Sequence, residues 1–394
     1  MTEQTKSSGL TEDWTAVILG FTIILFSLVV RVPGVLWQFV LVLSVVLLAT
    51  VLQRKPIVSF LKMFPLVFMI SFIAQMIAAN KTIKGLGLEA VIFSLVFGLI
   101  IGNTFKLPDW FKKSLSTELF VKIGLVLLGT SVLFKDILQA GSLGLIQALV
   151  VVISVWYFAY WVCKKLKLDE ELSMMLSSAV SICGVSAAIA TAGAIKGDPK
   201  KLSYVISIVL ITAIPMMIVM PYVAKYFGWS EEVTGAWLGG TIDTTGAVVA
   251  SGTLVGEKAL ATSTIVKFSQ NVLLGIAAFA ISIYWSVNGG DGRKKEKPTA
   301  AVIWERFPKF VLGFIAASLL FSFFVPTETT KLVKDSLKSI QTLFFVLAFT
   351  SIGLETRFSD FSGSLGWKPF VAFLVAQGFN IVVTLIVAMI LFGS

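Results

Sequence analysis

Asp243 and Lys267 are ionisable side chains set inside long apolar runs, where each costs at least about 2.5–3.5 kcal/mol at the centre of a bilayer unless it is paired or wet. A bridge between the two would remove that cost. If the bridge opens when a substrate arrives, Lys267 is left for a carboxylate, sulfonate or sulfate, and Asp243 for a proton or Na+. Asn271 lies four residues beyond Lys267 on the same helix face, with Gln270 beside it, and both add polar contacts. The competing reading of Lys267 is a lysine that snorkels from a helix end, against which stands its place about eight residues into its run.

Two segments rich in Gly, Ala, Ser and Thr accompany this pair, at 181–193 and 239–252. Each reads as a membrane helix that is interrupted partway. Unpaired backbone is tolerated at membrane depth only where protein buries it or where it lines a watery cavity, and transporters use such breaks to hold cargo. A half-helix that starts in mid-membrane presents free N–H groups and the positive end of its dipole. Breaks at Cys183-Gly184-Val185-Ser186 and from Gly240 and Thr241 to Gly246 therefore suit an anionic group. Gly184, Gly240 and Gly246 permit close backbone approach, and Ser186, Thr241, Thr244 and Thr245 add hydroxyl donors without charge. The alternative is that these small residues only let helices pack tightly.

The elements that must hold these residues are membrane helices. Hydrophobic residues make up 57% of the 394 and charged ones 14%, and apolar runs of about 20 residues, enough to cross about 30 Å of hydrocarbon, recur along the chain. Thirteen are read, at 14–30, 34–52, 60–79, 88–105, 118–134, 141–163, 170–195, 202–226, 231–254, 259–285, 310–325, 336–355 and 366–391, within a range of eleven to thirteen. The runs lack the alternation of a lumen-lining strand. The expected fold is all-α and polytopic. Its organisation reads as two additional helices in 1–63, a transmembrane half with the breaks in 64–286, a basic cytoplasmic linker in 287–309, and further transmembrane helices in 310–394.

The net charge of +10 belongs to loops between the runs, where membrane orientation explains it better than nucleic acid does. Arg54 and Lys55, the lysines at 106, 112 and 113, those at 164, 165 and 167, and the linker from Arg293 to Lys309 share one side if all thirteen runs cross and the N-terminus is cytoplasmic. Lys196, Lys200 and Lys201 then fall on the other side, and the C-terminus outside. The N-terminal stretch has no basic region or small-residue cleavage site of a secretory signal. With no histidine and two cysteines without CxxC spacing, metal sites and Ser-His-Asp chemistry are not expected, nor is a cofactor. The chain is not read as an enzyme.

Two internal likenesses stand out. Gly129-Thr-Ser-Val-Leu-Phe-Lys-Asp136 and Gly353-Leu-Glu-Thr-Arg-Phe-Ser-Asp360 share Gly, Phe and Asp at equal spacing, on runs that cross in opposite directions, as an inverted repeat requires. Residues 186–198 also run against 245–257 at constant offset, both ending in Gly plus an acid. With one crossing between them these two would be parallel, so the likenesses do not fit one simple inversion.

The residues also carry a resemblance. Gly98-Leu-Ile-Ile-Gly-Asn103, Glu118-Leu-Phe-Val-Lys-Ile-Gly-Leu-Val-Leu-Leu-Gly129, Ile182-Cys-Gly-Val-Ser-Ala-Ala-Ile-Ala190, then Gly240-Thr-Ile-Asp-Thr-Thr-Gly-Ala-Val-Val-Ala-Ser-Gly252 and Lys267 resemble, in order and spacing, the sulfate exporter family of YeiH-like inner-membrane proteins. The likeness runs from about Phe64 to the C-terminus. Much of that family has His and then an acid in its Gly-Thr-x-x motif; here Asp243 and Thr244 stand there, which argues against a histidine mechanism. The family's Lys-x-x-Arg reads Lys267-Phe-Ser-Gln270. The resemblance implies membership of the wider cation and anion antiporter group. It also implies inverted repeats with helices broken at mid-membrane, a core moving against a scaffold as in an elevator, a homodimer, and a place in the bacterial inner membrane.

Three functions follow: a secondary transporter of a small anion coupled to H+ or Na+; a cation/H+ antiporter that exchanges on Asp243; and a membrane enzyme or receptor, disfavoured by the lack of a catalytic constellation. The anion carrier should lose affinity when Lys267 is removed, and the cation carrier should respond mainly to Asp243→Asn.

Overall fold

The computed structural model describes residues 10–29, 35–80, 83, 90–288, 304, 307–356 and 366–393, and among them there is helix and no strand. In chain order the helices are α1 (Glu12–Val29), α2 (Val35–Leu52), α3 (Ile57–Ala78), α4 (Ala90–Thr104), α5 (Asp109–Ser114), α6 (Thr117–Leu128), α7 (Phe134–Lys165), α8 (Glu170–Ser178), α9 (Val185–Ile195), α10 (Pro199–Tyr226), α11 (Glu231–Thr241), α12 (Thr245–Val255), α13 (Glu257–Asn288), α14 (Phe310–Leu319), α15 (Thr327–Glu355) and α16 (Lys368–Phe392). Eight helical segments are long and apolar enough to cross a membrane, and five shorter helices are apolar. The polytopic reading stands. Most of the basic linker at 287–309 lies outside the described residues, as do residues 357–360 of the second internal likeness.

The described residues form two compact units. One is drawn from Met1–Ile137 and Lys309–Arg357, the other from Leu138–Pro308 and Phe358–Ser394. In the first unit, Lys122 of α6 is tied to Glu12 at 2.9 Å, Asp13 at 3.0 Å and Glu118 at 3.0 Å, which fixes the start of α1 beside α6. Thr117 at the start of α6 donates to Glu355 at the end of α15 at 2.8 Å, so these two helices run antiparallel. Their matched glycines make matched contacts. Gly129 lies against the Phe314 carbonyl of α14, and Gly353 against the Leu95 carbonyl and Gly98 of α4; a Cβ at either would strike backbone. Three residues on, the Val132 carbonyl accepts from Ser318 at 2.5 Å and the Thr356 carbonyl from Asn103 at 2.9 Å. The first internal likeness thus corresponds to equivalent helix crossings in opposite directions.

The second unit is built on two helical hairpins. Asp169 caps α8, its side chain accepting from Leu172 N–H, with Glu170 and Glu171 in the first turn, as a helix N-terminus favours. Laid end to end, the stretch from Glu170 to Ile195 would part its ends by roughly 38 Å at 1.5 Å per residue. Instead Lys201, in the first turn of α10, pairs with Asp169 at 2.7 Å and Glu171 at 3.3 Å, and Asp198 N–H donates to Glu171. The chain therefore turns back between α8 and α9. The wide turn Ala179–Cys183 and then Gly184, at φ 60° and ψ −108°, reverse it.

The second hairpin repeats the device. Ser230 caps α11, and Glu231 and Glu232 follow. Ala259 N–H at the start of α13 donates to Glu231 at 3.1 Å, and Lys258 pairs with Glu232, so α11 and α12 return to one base through the extended backbone of Ile242 and Thr244. The bases stand at opposite ends of the 28-residue α10, and the tips meet. A Cβ on Gly184 would lie 2.7 Å from Val209, midway along α10, and 3.1 Å from the Cβ of Asp243.

Two of the thirteen runs, 170–195 and 231–254, are thus helical and broken where expected but do not continue through. Hydropathy is blind to this difference, because a hairpin and a straight broken helix bury the same residues. The limbs α9 and α12 leave the meeting point toward opposite bases and run antiparallel. That removes the conflict between the two internal likenesses.

A labelling experiment follows. In a background with Cys163 and Cys183 replaced, cysteines at the exposed positions Lys200 and Lys258 should react with a membrane-impermeant maleimide from opposite sides. Labelling from one side would restore thirteen crossings.

Candidate functional site

Each first limb ends in backbone carbonyls that the helix itself cannot pair, and side chains from two long helices of the second unit supply the donors. From α13, Lys267 donates to the Ile182 carbonyl at 2.8 Å and to Gln270 Oε1 at 2.8 Å. Gln270 in turn donates to the Ser181 carbonyl at 2.8 Å and the Gly240 carbonyl at 3.3 Å, so one amide spans both hairpins. From α16, Asn380 donates to the Val180 and Thr241 carbonyls, each at 3.2 Å, and Gln377 to the Thr241 carbonyl at 2.9 Å. Thr384 donates to Asn380 at 2.8 Å. From α7, Gln147 donates to the Ala236 carbonyl at 2.7 Å, within the body of α11 rather than at its end.

The negative ends of the first limbs are therefore closed by protein. The positive ends of the second limbs are less covered. Gly184 offers α9 no side-chain cap, and beyond it Val185 is half-buried and Ser186 exposed. On α12, Thr244 accepts from Ala247 N–H at 3.3 Å, and Thr244, Thr245 and Gly246 are half-buried. Both N-termini start at the meeting tips, where they present N–H groups and the positive ends of their dipoles.

Two opposite charges sit behind them. Lys267 is 1% exposed and Asp243 2%, yet no ion pair within 4.0 Å joins them. The ammonium is spent on Ile182 and Gln270, while Asp243 Oδ2 has no hydrogen-bond partner within the protein. The expected direct bridge is not formed, because the clamp on the first limb holds the lysine. Charge-assisted bonds of this kind contribute about 1.5–3 kcal/mol each, against several kcal/mol for burying the ion.

All thirteen residues singled out in the sequence belong to this second unit. Cys183 is buried at the end of the turn before Gly184, Gly240 is packed against Gln147 and Thr384, and Asn271 donates to the Thr245 hydroxyl at 3.4 Å. The sequence reading missed Gln147, Gln377, Asn380 and Thr384. The last three are spaced as one face of a helix, and polar residues on one face of an apolar span are a signal for buried partners.

The matches to known proteins agree with the membrane reading. A family described as conserved hypothetical protein 698 matches residues 62–373. A UPF0324 membrane protein of Rhodopirellula baltica is 39% identical over 91% of this chain and 68% of its own length. One of Nitratidesulfovibrio vulgaris is 38% identical over 85% of the chain, and one of Yersinia pestis is 26% identical over 74% of the chain and 81% of its own length. The chain spans only 60% of the Nitratidesulfovibrio relative. No solved structure matches.

Proposed function

The chain belongs to the conserved hypothetical protein 698 family, relatives of which are named UPF0324 membrane proteins, and from that premise we propose that it is a secondary transporter of a small anion. The observation that carries this reading is the meeting of the two hairpins: at the tips the negative ends are closed by donors from α13 and α16, and the positive ends, with no side-chain cap on α9 and Thr244 alone on α12, are less covered. The anion binds at the N-termini of α9 and α12, to backbone N–H groups and the hydroxyls of Ser186 and Thr245, with the buried charge of Lys267 behind. Sulfate, sulfonates and related organic anions are the substrate class, in keeping with the resemblance to sulfate exporters. H+ or Na+ is the coupling ion.

In the membrane the hairpins are re-entrant, and eleven helices cross. Each hairpin then returns to its own side, which moves Lys196, Lys200 and Lys201 to the face that carries the other basic loops. By the positive-inside rule that face is cytoplasmic, together with the N-terminus. The protein works as a homodimer in the bacterial inner membrane, with matched inverted repeats and a moving core.

Thermal stability of the purified protein against sulfate, sulfite, sulfonates and carboxylates tests this. A ligand of the folded state raises the midpoint by mass action, and one anion class should do so. Ser186→Asp places a negative charge at the open end of α9 and should weaken that response at least about tenfold, a loss of about 1.4 kcal/mol, with little change in the ligand-free midpoint. A protein that answers to Na+ or pH and to no anion is instead a cation/H+ antiporter working through Asp243.

A further inference from the structure

The link between α11 and α12 gathers buried oxygens that the protein does not satisfy. Thr241 Oγ1, Asp243 Oδ2 and Asn271 Oδ1 have no hydrogen-bond partner, although their residues are 1%, 2% and 7% exposed. Thr241 ends α11, and Asp243 lies two positions on, in the link. Asn271 is held to its far end, where its Nδ2 has been used on the Thr245 hydroxyl and its carbonyl oxygen is left over. Close by, Gln377 has spent its Nε2 on the Thr241 carbonyl and also keeps an unpaired Oε1. Buried polar atoms are almost always satisfied, and here the unsatisfied ones are all oxygens able to accept. What completes such a set is a cation.

Its charge follows from the donors. Asp243 is the one carboxylate in the set, and among the described residues no three His, Cys, Asp or Glu side chains gather, whereas divalent oxygen sites draw on more carboxylate. A proton on Asp243 would answer one or two of the acceptors. A hard monovalent ion answers all of them together.

We propose that the hairpin tips bind Na+ through Asp243 Oδ2, Thr241 Oγ1 and Asn271 Oδ1, and that this is the ion to which anion transport is coupled. The second half rests on the anion-carrier reading above. The coupling follows from charge. Asp243 and Lys267 balance one another in the buried interior; Na+ on Asp243 leaves one net positive charge, and an anion at the neighbouring helix N-termini cancels it. Each ion makes the site more favourable for the other, as linkage requires.

The test is thermal unfolding of the full chain in NaCl, KCl or choline chloride at constant chloride and ionic strength, without other anions. The wild type should gain stability with NaCl, saturably, and not with KCl or choline chloride. Asp243→Asn should abolish the gain. Thr241→Val, which keeps shape and backbone carbonyl, should raise the Na+ concentration needed at least tenfold and serves if Asp243→Asn does not fold. Equal responses to the three salts, an unchanged Na+ response in both variants, or a response to pH with none to Na+ would each overturn the site. Repeating the anion series in choline buffer separates the two proposals. Anion stabilisation there without any Na+ effect sinks the ion site and leaves the carrier reading. Na+ binding with no anion effect in either salt keeps the site and sinks the coupling.

Discussion

Lys267→Met will lower the rate of anion exchange in proteoliposomes by about 100-fold or more. Methionine keeps the length and fills the space, so the change isolates the ammonium. Its loss leaves the Ile182 carbonyl and Gln270 Oε1 without their donor and leaves Asp243 as an uncompensated buried charge. The two charge-assisted bonds lost contribute about 1.5–3 kcal/mol each, about 3–6 kcal/mol together, which at about 1.4 kcal/mol per decade is roughly 100-fold to more than 10,000-fold. Part of this appears as lost stability, since the clamp fixes the end of the first hairpin. Lys267→Met with Asp243→Asn separates the parts. The double variant removes both charges, so it should regain stability relative to Lys267→Met alone while transport stays low. Wild-type rates in Lys267→Met would mean that the lysine is packing and nothing more.

Gly184→Ala will lower the unfolding midpoint and abolish ligand-dependent stabilisation. The residue sits at φ 60°, where an L side chain is strained by about 1–3 kcal/mol. Its new Cβ would also meet Val209 at 2.7 Å and Asp243 at 3.1 Å, an overpacking that adds about 1–3 kcal/mol. Val209→Ala in the same chain should recover the contact part and leave the dihedral part. Gly378→Ala, on a helix with no atom within 4 Å of the added carbon, is the control and should be silent. If Gly184→Ala behaves like Gly378→Ala, the tips are not in the tight contact described.

Composition made the membrane helices legible, and Gly184, Gly240 and the threonines near them marked both interruptions. Asp243 and Lys267 were also visible, because an ionisable residue within an apolar run is conspicuous. The folding back of each segment was not. It rests on Asp169, Glu171 and Lys201 at one base and on Glu231, Glu232 and Lys258 at the other, which in sequence look like ordinary charged loops. The partner of Lys267 was misjudged for a related reason. Spacing along one helix cannot reveal a carbonyl 85 positions away, and backbone oxygens compete for a lysine as well as carboxylates do. The likeness between 186–198 and 245–257 was real, but its direction needed the hairpins.

The caps that come from α16 bear on the order in which the chain is put together. Each hairpin limb is too short to span a bilayer, so hydropathy alone gives it no stable place. The Val180 and Thr241 carbonyls find their donors on Asn380 and Gln377, within the last twenty residues of this sequence. A nascent chain that has passed both hairpins still holds those carbonyls unpaired until α16 arrives. Truncation ahead of α16 should therefore leave the tips unassembled although every residue of both hairpins is present, and membrane quality control would meet two unsettled polar loops.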